Sequence, residues 1–209
     1  MGDWLRLHGN RCMSRIDFYF DLWSPYAYLA SDRLAEMAER HGCTVNYCPI
    51  DLIRAKLSAG NTGPPNLAIP PKIRYLMTDL KRWCARYGLP FGGVPKSKDT
   101  KRINIGALLA QDRGMARDYV RAAYEATWGQ GGDPNSDELL TTLAAKLDWD
   151  AEEFLGYVGS PAAEVRYDTI FEEAVKRGVF GVPIMLVGDE MWWGNDRLDF
   201  LEQFLEAQG

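Results

Sequence analysis

The sequence predicts an α/β domain whose sheet is interrupted by a long all-helical insertion. Three observations lead to this prediction. The chain opens with a strand–helix–strand pattern, which is typical of parallel strands in an α/β sheet. Residues 52–160 then carry helical periodicity, with no strand signal of comparable strength. Residues 161–209 return to a helix, two short strands and a final helix.

The first strand and helix are separated by a short break in the pattern. Residues 16–20 are rich in β-forming residues and alternate, which predicts a strand. Ser24 followed by Pro25 signals a helix start, because serine caps the first turn and proline fits the first helical position. Gly42 ends this helix, and residues 44–48 predict the second strand.

The insertion begins with a stretch at 58–71 that is rich in Gly, Pro and Asn, which predicts a long loop. Apolar residues then recur at helical spacing, and two helix starts are marked by Ser136 and by a capping-box pattern at 150–153. The helix faces of this segment include Tyr75, Leu76, Leu80, Trp83, Ile103, Ala107, Leu108, Leu109, Tyr119, Ala123, Thr127, Leu139, Leu143 and Leu147. We therefore expect a helical insertion.

The carboxy-terminal part predicts a β-hairpin followed by a helix. Residues 183–187 and 190–193 are strand-like, and Gly188 lies in a tight turn between them. Asn195 and Asp196 precede a leucine repeat and are suited to cap the final helix. Because side chains alternate across a strand, one of the two tryptophans at 192 and 193 should face the core and the other the site.

Composition and charge exclude several classes of function. The 209 residues include 29 Asp and Glu against 24 Lys and Arg, so no nucleic-acid partner is expected. No apolar run is long enough to span a bilayer, so no membrane partner is expected. Residues 1–15 lack the apolar core of a secretory signal, and we expect them to form a flexible extension.

The cysteines and histidines also exclude a metal site. The cysteines form no CxxC pair, and His8 and His41 have no ligand spacing. Unpaired cysteines are typical of a reducing compartment, so a cytoplasmic location is expected. These cysteines are Cys12, Cys43, Cys48 and Cys84.

The order of these elements is that of a thioredoxin fold split by a helical domain. Residues 18–30 resemble the amino-terminal signature of the 2-hydroxychromene-2-carboxylate isomerases, glutathione-dependent relatives of the kappa-class glutathione transferases: FYFDLWSPYAYLA. Residues 180–183 (FGVP) and 192–198 (WWGNDRL) resemble the carboxy-terminal signature of that family. The resemblance implies a glutathione-binding domain at 16–51 and 161–209, and a helical domain at 52–160 on the substrate side.

The resemblance places a glutathione thiolate beside Ser24. The helix start favours an anion, and the Ser24 hydroxyl can donate to it while also capping the helix. Lowering a thiol pKa of about 8.5 by about two units requires about 2.7 kcal/mol. Because positions 24 and 27 carry no cysteine, we interpret Ser24 as a thiolate-stabilising residue of an isomerase and not as part of a disulfide oxidoreductase.

The remaining glutathione contacts follow from the resemblance. Val182 would offer its backbone to the cysteinyl part, next to a cis Pro183, although an ordinary strand-start proline is the alternative. Asp196 is suited to the α-ammonium, with helix capping as the alternative. The stretch that would receive the γ-glutamyl end consists of Trp193, Gly194, Asn195 and Asp196.

The resemblance implies a small aromatic carboxylate as the substrate, with Lys56 and Asn66 in its pocket. The alternative for both residues is a solvated surface position. Leu67 and Lys98 depart from the family's substrate-side pattern. Two other functions therefore stay open, a kappa-like glutathione transferase and a non-catalytic thioredoxin-like binding module. The family also implies a homodimer.

Overall fold

The computed structural model describes residues 15–64 and 68–208. Its four strands form one sheet in the order β2-β1-β3-β4. β1 is parallel to β2 and antiparallel to β3, and β3 and β4 form an antiparallel hairpin. The strands are β1 (Arg15–Phe20), β2 (Thr44–Pro49), β3 (Ile184–Val187) and β4 (Glu190–Trp193). The predicted β-α-β opening and hairpin are therefore confirmed.

Nine α-helices lie in the described part of the chain: α1 (Pro25–Arg40), α2 (Leu52–Ser58), α3 (Pro70–Tyr87), α4 (Lys101–Asp112), α5 (Ala116–Tyr124), α6 (Asp137–Lys146), α7 (Ala151–Val158), α8 (Pro161–Lys176) and α9 (Leu198–Gln208). A π-helical turn at Glu125–Gly129 extends α5, and a 3-10 turn at Asn195–Arg197 precedes α9. None of these helices combines the length and the apolar character that crossing a membrane requires.

The beginning of the insertion differs from the prediction in two places. Leu52–Ser58 forms a short helix that the sequence analysis missed, and the Asp51 carboxylate caps it by accepting from the Arg54 N–H at 2.9 Å. α3 begins at Pro70, inside the predicted loop, because proline fits the first turn of a helix. Of the predicted residues in this loop, Asn66 and Leu67 lie outside the described residues, as do residues 1–14 of the predicted extension 1–15. The last residue of that extension, Arg15, instead begins β1.

One continuous hydrophobic cluster joins the sheet to the helical segment. Phe18 and Phe20 of the central strand are fully buried and stack with ring centroids 5.4 Å apart. Tyr119 of α5 and Trp128 of the π-helical turn are buried in the same cluster. The end of β1 therefore lies against helices that follow it by about 100 residues in the chain, and these helices fix the loop that leaves the strand.

Asp17 in β1 is a buried carboxylate with three donors. Burial acts to raise its pKa, but hydrogen bonds from Asn46, Arg177 and Arg15 outweigh burial and lower it. The Asn46 Nδ2 and Arg177 Nη1 atoms lie 2.7 and 2.5 Å from its oxygens. A carboxylate whose folded pKa is depressed stabilises the protein above its unfolded pKa, and loses this contribution as the pH falls through the folded pKa.

We therefore expect the contribution of Asp17 to fade in acid. Asp17→Asn should lower the free energy of unfolding by about 2 kcal/mol at neutral pH, because the cationic donors lose their charged acceptor. The difference from wild type should shrink between pH 5 and pH 2, and urea unfolding at several pH values measures it. A difference that is the same at pH 7 and at pH 2 would contradict this assignment.

Candidate active site

Ser24 begins α1 and caps it. Its φ and ψ of −90° and 114° are extended, and its Oγ accepts from the Ala27 N–H at 3.2 Å. The Ser24 N–H donates to the Asp21 carbonyl at 2.8 Å, which closes the turn after β1. The capping prediction is confirmed, and Pro25 occupies the first helical position as expected.

Two hydrogen-bond donors remain available at this helix start. The Ser24 hydroxyl acts only as an acceptor among the hydrogen bonds of the described residues, so its proton has no protein acceptor there. The Tyr26 N–H likewise has no acceptor among those bonds. Pro25 has no N–H, and the Ala27 N–H is used by the cap. Ser24 is only 3% exposed, so the two donors and the positive end of the helix form a small, shielded anion site.

The sheet register brings the other predicted glutathione residues to the same edge. Tyr19, near the end of β1, pairs with Ile184 at the start of β3, which pairs with Trp193 at the end of β4. The turn before β3 and the turn after β4 therefore lie at the edge where β1 leads to Ser24. The 3-10 turn that follows β4 also packs against α1.

The turn before β3 contains a cis peptide bond between Val182 and Pro183, as predicted. Val182 is buried, and the Pro183 carbonyl accepts from the Gly194 N–H at 3.0 Å. This hydrogen bond joins the turn before β3 directly to the turn after β4. The β3–β4 hairpin separates the stretches 182–183 and 193–196 in sequence. The two stretches therefore lie side by side at this edge of the sheet.

The predicted capping by Asn195 and Asp196 is wrong. Both residues lie within a 3-10 turn ahead of α9, and neither side chain bonds a backbone N–H there among the described hydrogen bonds. Asn195 is 4% exposed, and its Nδ2 is buried without a hydrogen-bond partner. A buried amide donor without an acceptor is costly, so this atom marks a place where a ligand acceptor fits.

Asp196 is exposed and lies beside Gly194. Its carboxylate forms an ion pair of 3.1 Å with Arg197. Gly194 has a φ of 108°, and a Cβ at this position would be 2.5 Å from the Asp196 Oδ1. The backbone conformation therefore favours glycine here, and a larger residue would also displace the Asp196 carboxylate.

The two tryptophans of β4 point to opposite faces, as the alternation predicts. Trp192 packs on Phe204 of α9 with ring centroids 4.9 Å apart. Trp193 is 56% exposed and meets Phe180 edge to face, also at 4.9 Å. The exposed pair Phe180–Trp193 therefore lies beside the Val182–Pro183 turn, and the sequence alone did not distinguish the two tryptophans.

Tyr26 is a further residue of this edge that the sequence analysis did not select as functional. Its hydroxyl donates to the Asp79 carboxylate of α3 at 3.4 Å. Burial raises the pKa of Tyr26 to about 12, with smaller contributions from Asp79, Tyr75 and Asp196. The contribution from Asp196 shows that the 3-10 turn lies near the start of α1. The phenol therefore stays neutral at physiological pH.

Lys56 lies in the last turn of α2 and is half-buried. The start of α2 is attached to the β1–α1 loop, because the Leu52 N–H donates to the Asp21 carboxylate at 2.8 Å. Arg54 on the same helix pairs with Asp168 at 2.5 Å and lies over the Phe171 ring. Both contacts of Arg54 are with α8. Lys56 is therefore the cation of α2 that is available to bind a ligand.

The comparisons with known proteins agree with this architecture. The DSBA-like thioredoxin domain matches residues 15–206. A curated 2-hydroxychromene-2-carboxylate isomerase from Sphingobium xenophagum is 45% identical over 91% of this chain and 97% of its own. A solved structure of a 2-hydroxychromene-2-carboxylate isomerase superposes with a TM-score of 0.88 and 42% identity, covering 92% of this chain and 95% of that one.

A more distant relative is the glutathione S-transferase kappa 1 of Caenorhabditis elegans, at 26% identity over 93% of this chain and 92% of that protein. The resemblance drawn from the two sequence signatures is thereby confirmed. The chain belongs to the 2-hydroxychromene-2-carboxylate isomerase family, within the DsbA-like thioredoxin domains.

Proposed function

We propose that the protein is a glutathione-dependent isomerase that interconverts 2-hydroxychromene-2-carboxylate-type compounds and trans-o-hydroxybenzylidenepyruvates in aromatic hydrocarbon catabolism. The carrying observation is the pair of free donors at the start of α1, the Ser24 hydroxyl and the Tyr26 N–H. Relatives that share 42–45% of the residues bear the isomerase name, and a kappa relative bears the name of a glutathione enzyme.

The residues present fit glutathione. Ser24 and the Tyr26 N–H would hold the sulfur, and the Val182 backbone the cysteinyl part. The buried Nδ2 of Asn195 has no partner and suits a carboxylate oxygen of the γ-glutamyl end, with Asp196 suited to the ammonium. Trp193 and Gly194 would line this end. Pro183 links the two turns through its carbonyl.

The two buried thiols of the described residues, Cys48 and Cys84, are poorly suited to act as an alternative nucleophile. Burial raises the pKa of Cys48 to about 12, with a smaller contribution from Asp17. Burial also raises the pKa of Cys84. A thiol with such a pKa is protonated at neutral pH and is a poor nucleophile. We assign the reacting sulfur to bound glutathione, which is the chemistry that the cofactor would supply.

The chain's own residues supply orientation and electrostatics. The Ser24 hydroxyl and the Tyr26 N–H donate to the sulfur and hold its negative charge, and the positive end of α1 adds to this. Lys56, and Asn66 outside the described residues, would meet the substrate carboxylate. The exposed pair Phe180–Trp193 offers an apolar surface for an aromatic ring beside the Val182–Pro183 turn.

A ligand titration tests the glutathione site directly. A ligand that binds only the native state stabilises it by RT ln(1 + [L]/Kd), about 2.7 kcal/mol at a hundredfold excess over Kd. We expect a saturable rise in melting temperature with glutathione, and a weaker rise with S-methylglutathione, whose sulfur cannot ionise. No shift at millimolar glutathione would contradict the site and would favour the binding module.

A glutathione transferase is the second candidate, and the kappa relative favours it. The two activities differ in the fate of the cofactor. A transferase consumes one glutathione for each product, whereas an isomerase returns it. Total free thiol before and after turnover therefore distinguishes them.

We further propose a cytoplasmic homodimer and a division into a glutathione-binding domain (16–51 and 161–209) and a helical domain (52–160). The two parts share one hydrophobic cluster. Light scattering of the purified protein measures the oligomeric state, and a monomer would contradict the dimer.

Asp196→Asn tests the γ-glutamyl end. The change keeps the shape but removes the charge that would pair with the ammonium, and it should raise the Kd for glutathione about tenfold, since one exposed charge-assisted bond is lost. The turnover number at saturating glutathione should stay within about threefold. The control is Asp199→Asn, an exposed carboxylate in the first turn of α9. Equal Kd values for the two variants would contradict the assignment.

A further inference from the structure

A buried carboxylate, that of Asp21, lies in the loop between β1 and Ser24. Asp21 follows β1, is 3% exposed, and forms no ion pair among the described residues. Its Oδ1 accepts from the Trp23 N–H at 3.0 Å, from the Thr100 hydroxyl at 2.6 Å and from the Asn104 amide at 2.9 Å. Its Oδ2 accepts from the Leu52 N–H at 2.8 Å. Four donors from three segments thus converge on one side chain.

The partners of Asp21 show which parts of the molecule it joins. Trp23 precedes Ser24, Leu52 begins α2, and Thr100 and Asn104 lie at the start of α4. Thr100 is at the N-cap position of α4 and makes no side-chain cap bond there, while its hydroxyl donates to Asp21. The Thr100 side chain therefore joins the start of α4 to the loop after β1.

The backbone of the same turn is fixed as well. The Asp21 carbonyl accepts from the Ser24 N–H at 2.8 Å and from the Tyr124 hydroxyl at 3.0 Å. The Leu22 carbonyl accepts from the Trp128 Nε1 at 2.9 Å, which the π-helical turn presents. The loop that leads to Ser24 is therefore held by side chains of α5 and of the π-helical turn.

We infer that Asp21 is a positioning residue, whose carboxylate sets the Ser24 hydroxyl and the Tyr26 N–H against the bound sulfur and holds α2, with Lys56, in register with them. This inference rests on the proposed function, since it assigns Asp21 a role in ionising glutathione. Asp21 is only 3% exposed, so its carboxylate would touch neither glutathione nor the substrate.

The direction in which Asp21→Asn shifts the pKa of bound glutathione distinguishes a positioning role of Asp21 from a purely electrostatic one. Asparagine replaces one acceptor oxygen by a donor, so at least one of the four donors loses its acceptor and the loop shifts. If Asp21 acted only as a nearby negative charge, removing it would favour the thiolate and lower the glutathione pKa. Misplacement of the two donors at the sulfur would instead raise that pKa.

The experiment compares Asp21→Asn with Asp17→Asn. Asp17 is a second buried carboxylate, which lies within β1 and away from the site edge. The ultraviolet absorbance of the thiolate gives the pKa of bound glutathione, and steady-state kinetics gives kcat and KM. For Asp21→Asn we expect the pKa of the bound thiol to rise by about one unit. At pH values below the wild-type thiol pKa, kcat should then fall about tenfold. Asp17→Asn should leave the thiol pKa within about 0.3 units, and kcat within about twofold, of the wild-type values.

Amide exchange without glutathione gives an independent readout. The Trp23 and Leu52 N–H groups should exchange faster in Asp21→Asn than in Asp17→Asn, because their acceptor is the Asp21 carboxylate. A lowered or unchanged thiol pKa in Asp21→Asn would overturn the inference. If the wild-type protein shows no thiolate signal, the proposed function fails. The positioning role is then tested by amide exchange alone, and unchanged exchange at Trp23 and Leu52 would overturn it.

A second pair of variants keeps the inference testable if Asp21→Asn does not fold. Thr100→Val removes the hydroxyl at 2.6 Å from Asp21, and Thr100→Ser retains it. Thr100→Val should raise the thiol pKa in the same direction by a smaller amount, and Thr100→Ser should restore the wild-type value. Equal thiol pKa values in the two variants would contradict the role of the network.

Discussion

Ser24→Ala is expected to lower kcat by about 10- to 100-fold and to leave the Kd for glutathione within about threefold. In the proposed site the hydroxyl would donate to the glutathione thiolate, and a hydrogen bond to a charged group contributes about 1.5–3 kcal/mol. The rest of glutathione would be bound by the stretches at 182–183 and 193–196, so we expect the effect on affinity to be small. Isomerase kinetics and calorimetric titration measure the two quantities.

The loss of the cap by itself should cost about 1 kcal/mol of stability, so a control must separate stability from turnover. Ser31→Ala provides it. Ser31 is buried on the same helix, and its hydroxyl donates only to the Tyr28 carbonyl. It should keep full turnover. If Ser31→Ala and Ser24→Ala reduced kcat equally, the thiolate role of Ser24 would be untenable.

Gly106→Ala is expected to destabilise the protein by about 3 kcal/mol or more, through overpacking and a lost buried hydrogen bond. A Cβ at position 106 would overlap the Tyr119 hydroxyl and lie 2.9 Å from the Phe154 ring. That hydroxyl donates to the Ile103 carbonyl at 2.7 Å, so displacing it breaks a buried bond. Thermal unfolding should show a loss of roughly 6–12 °C for a domain of this size.

Gly156→Ala is the matched control, because Gly156 lies within α7 and a Cβ there would meet no atom within 4 Å. This change should be neutral or should stabilise the protein by up to about 1 kcal/mol, since alanine favours the helix over glycine. A Gly106→Ala protein as stable as Gly156→Ala would show that the contact between α4 and α5 is looser than described.

Helix starts and tight turns could be predicted from the sequence, because a few neighbouring residues determine them. Ser24 and Pro25 specify a helix start within two residues, and the turn at Gly188 specifies a hairpin. The sheet register then follows, because a β-α-β unit and a hairpin can share one sheet in few ways. The convergence of residues 24, 182–183 and 193–196 is a consequence of that register.

Other features depend on contacts between distant parts of the chain. The donors to the Asp21 carboxylate include residues 52, 100 and 104, and no local pattern links these positions to residue 21. α2 was missed because it is short and its Asp51 cap precedes only seven residues. The capping role of Asn195 and Asp196 was wrongly predicted because a 3-10 turn separates them from α9.

Measuring isomerisation together with free thiol is the most direct test of the proposed function. The purified protein is mixed with 2-hydroxychromene-2-carboxylate, with and without glutathione, and total free thiol is measured before and after turnover. We expect conversion that requires glutathione and leaves its amount unchanged. No conversion, equal conversion without glutathione, or loss of one thiol for each product would contradict the proposed isomerase.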